Sequence, residues 1–77
     1  MNEAVTIYFG RVVRELRLTA GISQERLGEL AGLQRNYISS LELGQKQPSL
    51  LTVFKIAKAL DMPADELVTK IIQMMDK

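Results

Sequence analysis

Hydrophobic residues recur at steps of three and four positions near the start of the chain. Between Ala4 and about Thr19 they are Val5, Phe9, Val12, Val13 and Leu16. The charged residues fall mostly between them and are Arg11, Arg14, Glu15 and Arg17. This spacing predicts an amphipathic α-helix with one apolar face. Gly21 is the predicted stop, because a residue without a Cβ adopts the left-handed cap conformation at little cost.

Two short helices are predicted to follow. Ser23 stands where an N-cap belongs, and the helix that it opens ends near Gly32. Its predicted buried side consists of Leu27, Leu30 and Ala31. After a very short connection, helical spacing resumes with Leu33, Ile38 and Leu41, which predicts a helix over 34–43. Helices joined so closely must cross at a steep angle.

Composition limits the possible functions. With 77 residues, 47% of them hydrophobic, the chain can build one domain over residues 1–77 and no second core. It has no cysteine or histidine, so no catalytic residues, metal site or cofactor are expected. No apolar run is long enough for a bilayer and the N-terminus lacks signal-peptide features, so a cytoplasmic protein is expected. The net charge of +1 leaves DNA binding to depend on where the cations lie.

The segment SQERLGELAGLQRNYISSLELGQKQPS resembles the helix-turn-helix of phage Cro and repressor proteins, a large bacterial family also called xenobiotic-response-element regulators. Gly28 stands where two helices approach closely, and Gly32 supplies the positive φ of the turn. The resemblance implies an all-α fold, namely a compact five-helix bundle of the lambda-repressor-like DNA-binding type. Within the family, RNYIS and the short length resemble the controller proteins of restriction-modification systems.

The resemblance extends over most of the chain, roughly from Phe9 to Leu67. Ser49 is the predicted N-cap of a fourth helix through LLTVFKIAKALDM. The side chains predicted to face inward are Val53, Ile56, Ala57 and Leu60. Pro63 fits the first turn of a fifth helix, where its missing N–H costs nothing. Asp65 and Glu66 favour the positive end of that helix dipole.

The polar face of the third helix is the predicted recognition surface. Opposite its apolar side lie Arg35, Asn36, Ser39 and Ser40, with Gln34 at the N-terminal end. Arg35 can contact guanine through two hydrogen bonds, and Asn36 can contact adenine in the same way. On an arbitrary helix these residues would form only a solvated face. Within this motif they are predicted to read bases.

A second set of residues is expected to contact DNA phosphates. At the start of the second helix, Gln24 resembles the family's phosphate-binding glutamine, and Ser23 lies beside it. The loop after the recognition helix would contribute Gln45, Lys46 and Gln47. Tyr37 has two interpretations, a hydroxyl on phosphate or a partly buried ring that covers the helix pair. Leu43 departs from the family pattern, which commonly has a polar or basic residue before this glycine.

Arg17 and Glu42 match a family ion pair that joins the first helix to the end of the recognition helix. The resemblance implies that the pair orients the two helices. The alternative is two unrelated surface charges.

The last helix, in residues 63–77, carries two apolar stripes. One consists of Leu67, Ile71 and Met74, and the other of Val68, Ile72 and Met75. This face is broader than one small bundle requires, so a dimer interface is predicted that includes Leu67, Val68, Ile71, Ile72 and Met75. The alternative is that both stripes belong to the core. A two-fold dimer would place two recognition helices about 34 Å apart and predicts a near-palindromic operator.

These features predict a sequence-specific transcriptional regulator that binds double-stranded operator DNA as a homodimer. No membrane or small-molecule partner is expected. The alternative is an antitoxin or adaptor module that binds another protein through the apolar part of the last helix. An enzyme is not expected, because the carboxylates are dispersed and no nucleophile stands beside a base.

Overall fold

The computed structural model describes residues 2–77, which form five α-helices. They are α1 (Asn2–Thr19), α2 (Gln24–Ala31), α3 (Arg35–Glu42), α4 (Leu50–Ala59) and α5 (Ala64–Met75). No β-strand occurs among these residues. The all-α, five-helix prediction is therefore confirmed. None of these helices is long and apolar enough to cross a membrane.

Short polar side chains and glycines define the helix ends. The hydroxyl of Ser23 accepts the N–H of Arg26 at 3.0 Å, which satisfies a donor in the first turn of α2. Ser49 caps α4 in the same way by accepting the N–H of Thr52 at 3.1 Å. Gly21 follows α1 with a φ of 72°. Both predicted N-caps and the predicted stop are confirmed, because the local signals that specify them need no distant partner.

Two helix starts differ from the prediction. The first helix begins at Asn2, two residues before Ala4. Pro63 is the N-cap of α5 and lies just outside its first turn, with φ −65° and ψ 147°. The missing N–H of proline costs nothing at the N-cap or in the first turn, so the presence of Pro63 did not indicate which of these two positions it occupies. The acidic residues of the first turn are Asp65 and Glu66, as predicted.

One hydrophobic core receives side chains from all five helices. Its fully buried members are Phe9, Val13, Leu27, Ile38, Leu41, Ile56 and Leu67. Within the bundle, α1 packs against α3 and α5, while α2 packs against α3 and α4. The short helix α3 is therefore held by α1 and α2, which hide its apolar side.

Two residues predicted to be buried are largely exposed. Val5 is 49% exposed and lies at the rim of a groove between α1 and α5. Leu30 is 47% exposed, because the buried face of α2 consists of Leu27, Gly28 and Ala31 and Leu30 lies to one side of it. Helical spacing predicts which residues share a side of a helix. It does not predict how far neighbouring helices cover that side.

Candidate nucleic-acid interface

The turn between α2 and α3 determines how these helices cross. Gly32 ends α2 with a φ of 70°, and its N–H donates to the carbonyl of Gly28. The N–H of Leu33 donates to the same carbonyl at 2.8 Å. A Cβ on Gly28 would lie 2.5 Å from the Leu33 carbonyl oxygen, closer than Cβ atoms approach. The predicted roles of both glycines are confirmed, since one takes the positive φ and the other permits the close approach.

The two sides of α3 differ sharply in exposure. Ile38 and Leu41 are fully buried between the helices. Arg35 and Asn36 are exposed on the other side. These two side chains form the outward edge of α3, and their hydrogen-bonding groups match those on base edges. Because they are exposed, they can contact another molecule. Their contacts to bases stay a prediction.

Three further residues predicted to read bases flank this edge. They are Gln34, Ser39 and Ser40. Gln34 is the N-cap of α3, and its exposed side chain makes no capping hydrogen bond. The two serines are partly buried, whereas the longer side chains of Arg35 and Asn36 are exposed. The predicted helix over 34–43 includes both caps of the observed α3, Gln34 and Leu43.

A buried ion pair joins α1 to the C-terminal end of α3. Arg17 Nε donates to Glu42 Oε2 at 2.6 Å, and Nη2 donates to Oε1 at 3.0 Å. Arg17 also donates through Nη1 to the carbonyl of Ile22 at 2.9 Å. The hydrogen bonds that Arg17 donates to Glu42 raise the pKa of Arg17, although burial acts in the opposite direction. The predicted pair is present in the structure, and the alternative of two unrelated surface charges is wrong.

Gln24 joins this network. Its Nε2 donates to Glu42 Oε1 at 3.1 Å. This bond leaves the side-chain carbonyl and one amide hydrogen for a further partner. The structure therefore places Gln24 against Glu42 at the C-terminal end of the recognition helix. The contact between Gln24 and phosphate stays a prediction.

A shallow polar depression brings together the starts of α2 and α3. Its lining consists of Arg17, Ser23, Gln24, Glu25 and Arg35. The guanidinium of Arg35 and the partial positive charge at the start of α2 both favour an anion here, while Glu25 opposes one and Glu42 compensates the charge of Arg17. The predicted phosphate contacts Ser23 and Gln24 therefore share a surface with Arg35.

Tyr37 covers the junction of α3 and α4. The residue is partly buried and packs against the core. Its hydroxyl lies 3.4 Å from Thr52 Oγ1, and Thr52 also accepts a hydrogen bond from Ser49 Oγ at 3.0 Å. These contacts match the interpretation of Tyr37 as a partly buried ring. A contact between its hydroxyl and phosphate stays a prediction.

The loop after α3 begins with a tight turn. Gly44 has a φ of 73°, and the N–H of Gln45 donates to the Ser40 carbonyl at 2.9 Å. Beyond it the side chains of Gln45, Lys46 and Gln47 are exposed. No ion pair involves Lys46 within residues 2–77, so its ammonium remains available to a phosphate. The predicted loop contacts thus lie directly beyond the recognition helix.

Gly10 positions the site in a way that the sequence analysis missed. It lies in α1 against the C-terminal carbonyls of α3, and a Cβ there would collide with the carbonyl oxygen of Leu41 and lie 2.8 Å from that of Glu42. The available signal was a glycine inside a helix, which costs about 1 kcal/mol relative to alanine and therefore indicates a packing requirement.

The two apolar stripes of α5 have different surroundings. Leu67, Ile71 and Met74 face the core, with Leu67 completely buried. Val68, Ile72 and Met75 are exposed. The prediction that Leu67 contacts a second chain is therefore wrong, because none of its surface is accessible. Ile71 exposes only 7% of its surface.

The exposed stripe borders an apolar groove of about 500 Å³. Residues from α1, the α3–α4 loop, α4 and α5 line it, including Val5, Pro48, Leu50, Val68, Ile72 and Met75. Phe54, also exposed, extends the apolar surface along α4. Gln47 belongs to both this groove and the loop that follows the recognition helix.

Acidic side chains are dispersed over the structure. Within residues 2–77, no group of three or more carboxylates is arranged to hold a metal ion. The side chains at the start of α2 and α3 are hydrogen-bonding and charged groups, namely those of Arg17, Ser23, Gln24, Glu25 and Arg35.

A family model described as helix-turn-helix matches residues 13–67. An uncharacterized HTH-type transcriptional regulator, YgzD of Bacillus subtilis (strain 168), is 44% identical over 55 residues, which cover 71% of this chain and 83% of that protein.

Two solved structures resemble this fold. The restriction-modification controller protein C.AhdI from Aeromonas hydrophila has a TM-score of 0.78 and 45% identity, covering 80% of this chain and 94% of that one. The controller protein C.Esp1396I, solved as a tetramer in complex with its natural 35 base-pair operator, has a TM-score of 0.89 and 25% identity, covering 95% of this chain and 96% of that one.

Proposed function

The chain belongs to the helix-turn-helix family of DNA-binding transcriptional regulators, and on that premise we propose that it binds a near-palindromic operator as a homodimer. The observation that carries this proposal is the division of α3. Its apolar side is fully buried at Ile38 and Leu41, so Arg35 and Asn36 are presented outward from a rigid support. A helix in this setting is suited to the major groove, which admits an α-helix and displays a distinct pattern for each base pair.

Base reading falls mainly to the outward edge of α3. Arg35 supplies paired donors for guanine, and Asn36 supplies a donor and an acceptor for adenine. Further hydrogen bonds to bases come from Ser39, Ser40 and Gln34. Because α3 lies between α1 and α2, these side chains do not need to be ordered along with a loop when DNA binds.

Phosphate contacts fix the position of the helix in the groove. Ser23 and Gln24 contact one strand from the start of α2, and Gln45, Lys46 and Gln47 contact the backbone beyond the end of α3. Tyr37 adds its hydroxyl at the junction with α4. The proposal thus places contacts at both ends of the recognition helix, which fixes its direction as well as its depth.

A second copy covers the apolar groove beside α5. Val68, Ile72 and Met75 are exposed there together with Val5 and Leu50, and water contact with this much apolar surface is unfavourable. A two-fold dimer presents two recognition helices to successive turns of the duplex. The operator complex of the similar controller C.Esp1396I, solved as a tetramer, supports an oligomeric mode of binding.

The dimer also accounts for the modest charge of the chain. A net charge of +1 provides little general attraction to DNA. Two linked half-sites add their binding energies, so weak contacts in each protomer suffice for specific binding. The proposal includes no catalytic step, and it places the protein in the cytoplasm with the DNA that it regulates. The similarity of this chain to controller proteins supports a role in controlling a restriction-modification system.

Selection of bound sequences from a random pool of duplex DNA tests this function. We expect an inverted repeat whose half-sites lie one helical turn apart, bound by two protomers in sedimentation experiments with the selected duplex. Recovery of no preferred sequence, together with a stable complex with another protein, would contradict the proposal and favour the antitoxin or adaptor alternative. Arg35→Ala serves as the matched variant, because Arg35 is exposed and its loss leaves the fold intact.

A further inference from the structure

An exposed leucine lies at the end of the recognition helix. Leu43 is the C-cap of α3 and is 67% exposed. Its φ of −82° and ψ of −2° keep it close to the helical path, and its N–H donates to the Ser39 carbonyl at 3.0 Å. Leu43 therefore extends the helix by one residue and keeps a direction fixed by α3.

Leu43 points in the same direction as the reading edge, by which we mean the outward edge of α3 that carries Arg35 and Asn36. Residues of an α-helix are separated by about 100°, so Leu43 lies only about 20° from Asn36, seven positions earlier, and about 10 Å further along the axis. Leu41 points to the opposite, buried side. Asn36 and Leu43 thus share one face of the helix, about two turns apart.

The fold makes little use of this side chain. Most of its surface is accessible, and it is not part of the core cluster or the apolar groove beside α5. Exposing a leucine to water is unfavourable in proportion to the apolar area left uncovered. On the DNA, two kinds of apolar carbon surface are available to such a side chain: the C5-methyl group of thymine in the major groove and the deoxyribose of the backbone.

We infer that Leu43 packs against apolar carbon of the operator at the C-terminal end of α3, either a thymine methyl group or a deoxyribose. The inference rests on the proposed function. It assigns the residue an affinity contribution that does not depend on counterion release, unlike that of the neighbouring Lys46. The reading edge then has hydrogen-bonding side chains at its start and an apolar contact at its end.

Binding to the selected operator is measured for the wild type, Leu43→Ala and Leu43→Met at several salt concentrations. We expect Leu43→Ala to bind about three- to tenfold more weakly, from the apolar area lost. The slope of log K against log salt should not change, since no phosphate contact is removed. Leu43→Met keeps an apolar side chain of similar size and should bind like the wild type. Leu30→Ala on α2, 47% exposed and outside the recognition face, is the matched control.

Replacing each thymine of the half-site in turn with deoxyuridine identifies the group contacted. If Leu43 packs on a methyl group, one replacement weakens the wild type and has no further effect on Leu43→Ala. If it packs on deoxyribose, no replacement distinguishes the two proteins, while Leu43→Ala still binds more weakly.

Equal affinity of Leu43→Ala and the wild type would overturn the inference, as would a loss accompanied by a smaller salt slope. Both results require that the wild type binds a selected duplex. Failure of the wild type to bind any preferred sequence would instead contradict the proposed function. Thermal unfolding of each variant confirms that the comparison is made between folded proteins.

Discussion

Arg17 and Glu42, which are 25 positions apart in sequence, form a two-point ion pair with Nε–Oε2 and Nη2–Oε1 distances of 2.6 and 3.0 Å. The pair ties α1 to the end of the recognition helix, and Gln24 links α2 to the same carboxylate. Glu42 raises the pKa of Arg17. The stabilisation linked to the proton of Arg17 is present below the ordinary pKa of arginine and is lost as the pH rises through the raised value, so Arg17 remains charged at neutral pH.

Glu42→Ala should lower the free energy of unfolding by about 3 kcal/mol, because it leaves the buried guanidinium of Arg17 without its counter-charge. It should also weaken operator binding, since α3 loses a contact that orients it. Urea unfolding and operator titration measure the two effects. Glu29→Ala is the control, because the Arg26–Glu29 pair is exposed and such pairs contribute little. An unchanged unfolding midpoint for Glu42→Ala would contradict the orienting role.

Gly10→Ala should be destabilising although alanine is the better helix former. The added methyl group would meet the carbonyl oxygens of Leu41 and Glu42, which are backbone atoms and cannot rotate away. We expect a loss of about 2 kcal/mol in unfolding experiments, within the range of overpacked cores. Glu15→Ala, at an exposed position on α1, tests helix propensity alone. If both substitutions stabilised the protein, the close approach of α1 to α3 would be refuted.

Arg35→Ala should cost about 1–3 kcal/mol of operator binding and relax the preference at one base pair in each half-site. Its side chain is exposed, so the unfolding midpoint should not change. Repeating the selection from random DNA with the variant measures both effects. An unaltered selected sequence would mean that Arg35 does not read a base.

Lys46→Gln should weaken binding similarly for all DNA sequences. Removing one phosphate contact reduces the slope of log K against log salt by about 0.9 for each protomer. Titrations at several salt concentrations give this slope. Lys58→Gln, which removes an exposed lysine on α4, should leave it unchanged. Equal slopes for wild type and Lys46→Gln would exclude a contact between Lys46 and phosphate.

Ile72→Lys should convert the proposed dimer into a folded monomer. Ile72 is 51% exposed at the apolar groove, and a lysine near the C-terminal end of α5 suits the helix dipole. A charge buried between two copies would be strongly unfavourable. Sedimentation at micromolar concentration measures the change. Leu18→Lys, in the last turn of α1 at 53% exposure, is the matched control and should remain dimeric. A monomeric wild type would disprove the dimer.

The sequence alone was sufficient to predict the local parts of the site. Ser23 and Ser49 cap their helices through hydrogen bonds to the next turn. Gly32 takes the left-handed conformation, which can be predicted from short-range steric effects alone. The division of α3 into a buried and an exposed side followed from helical spacing at Ile38 and Leu41. Family resemblance identified the distant pair of Arg17 and Glu42, which spacing could not have revealed.

Only the tertiary structure decided how far each apolar face is covered and which distant atoms meet. Both stripes of α5 have the same helical spacing, yet Leu67 is buried and Ile72 is exposed. Gly10 is a weak position in an isolated helix and a necessary one where α1 crosses the carbonyls of α3. The physical reason is that spacing is a property of one helix, whereas burial and contact depend on the positions of its neighbours, which are determined jointly by all five helices.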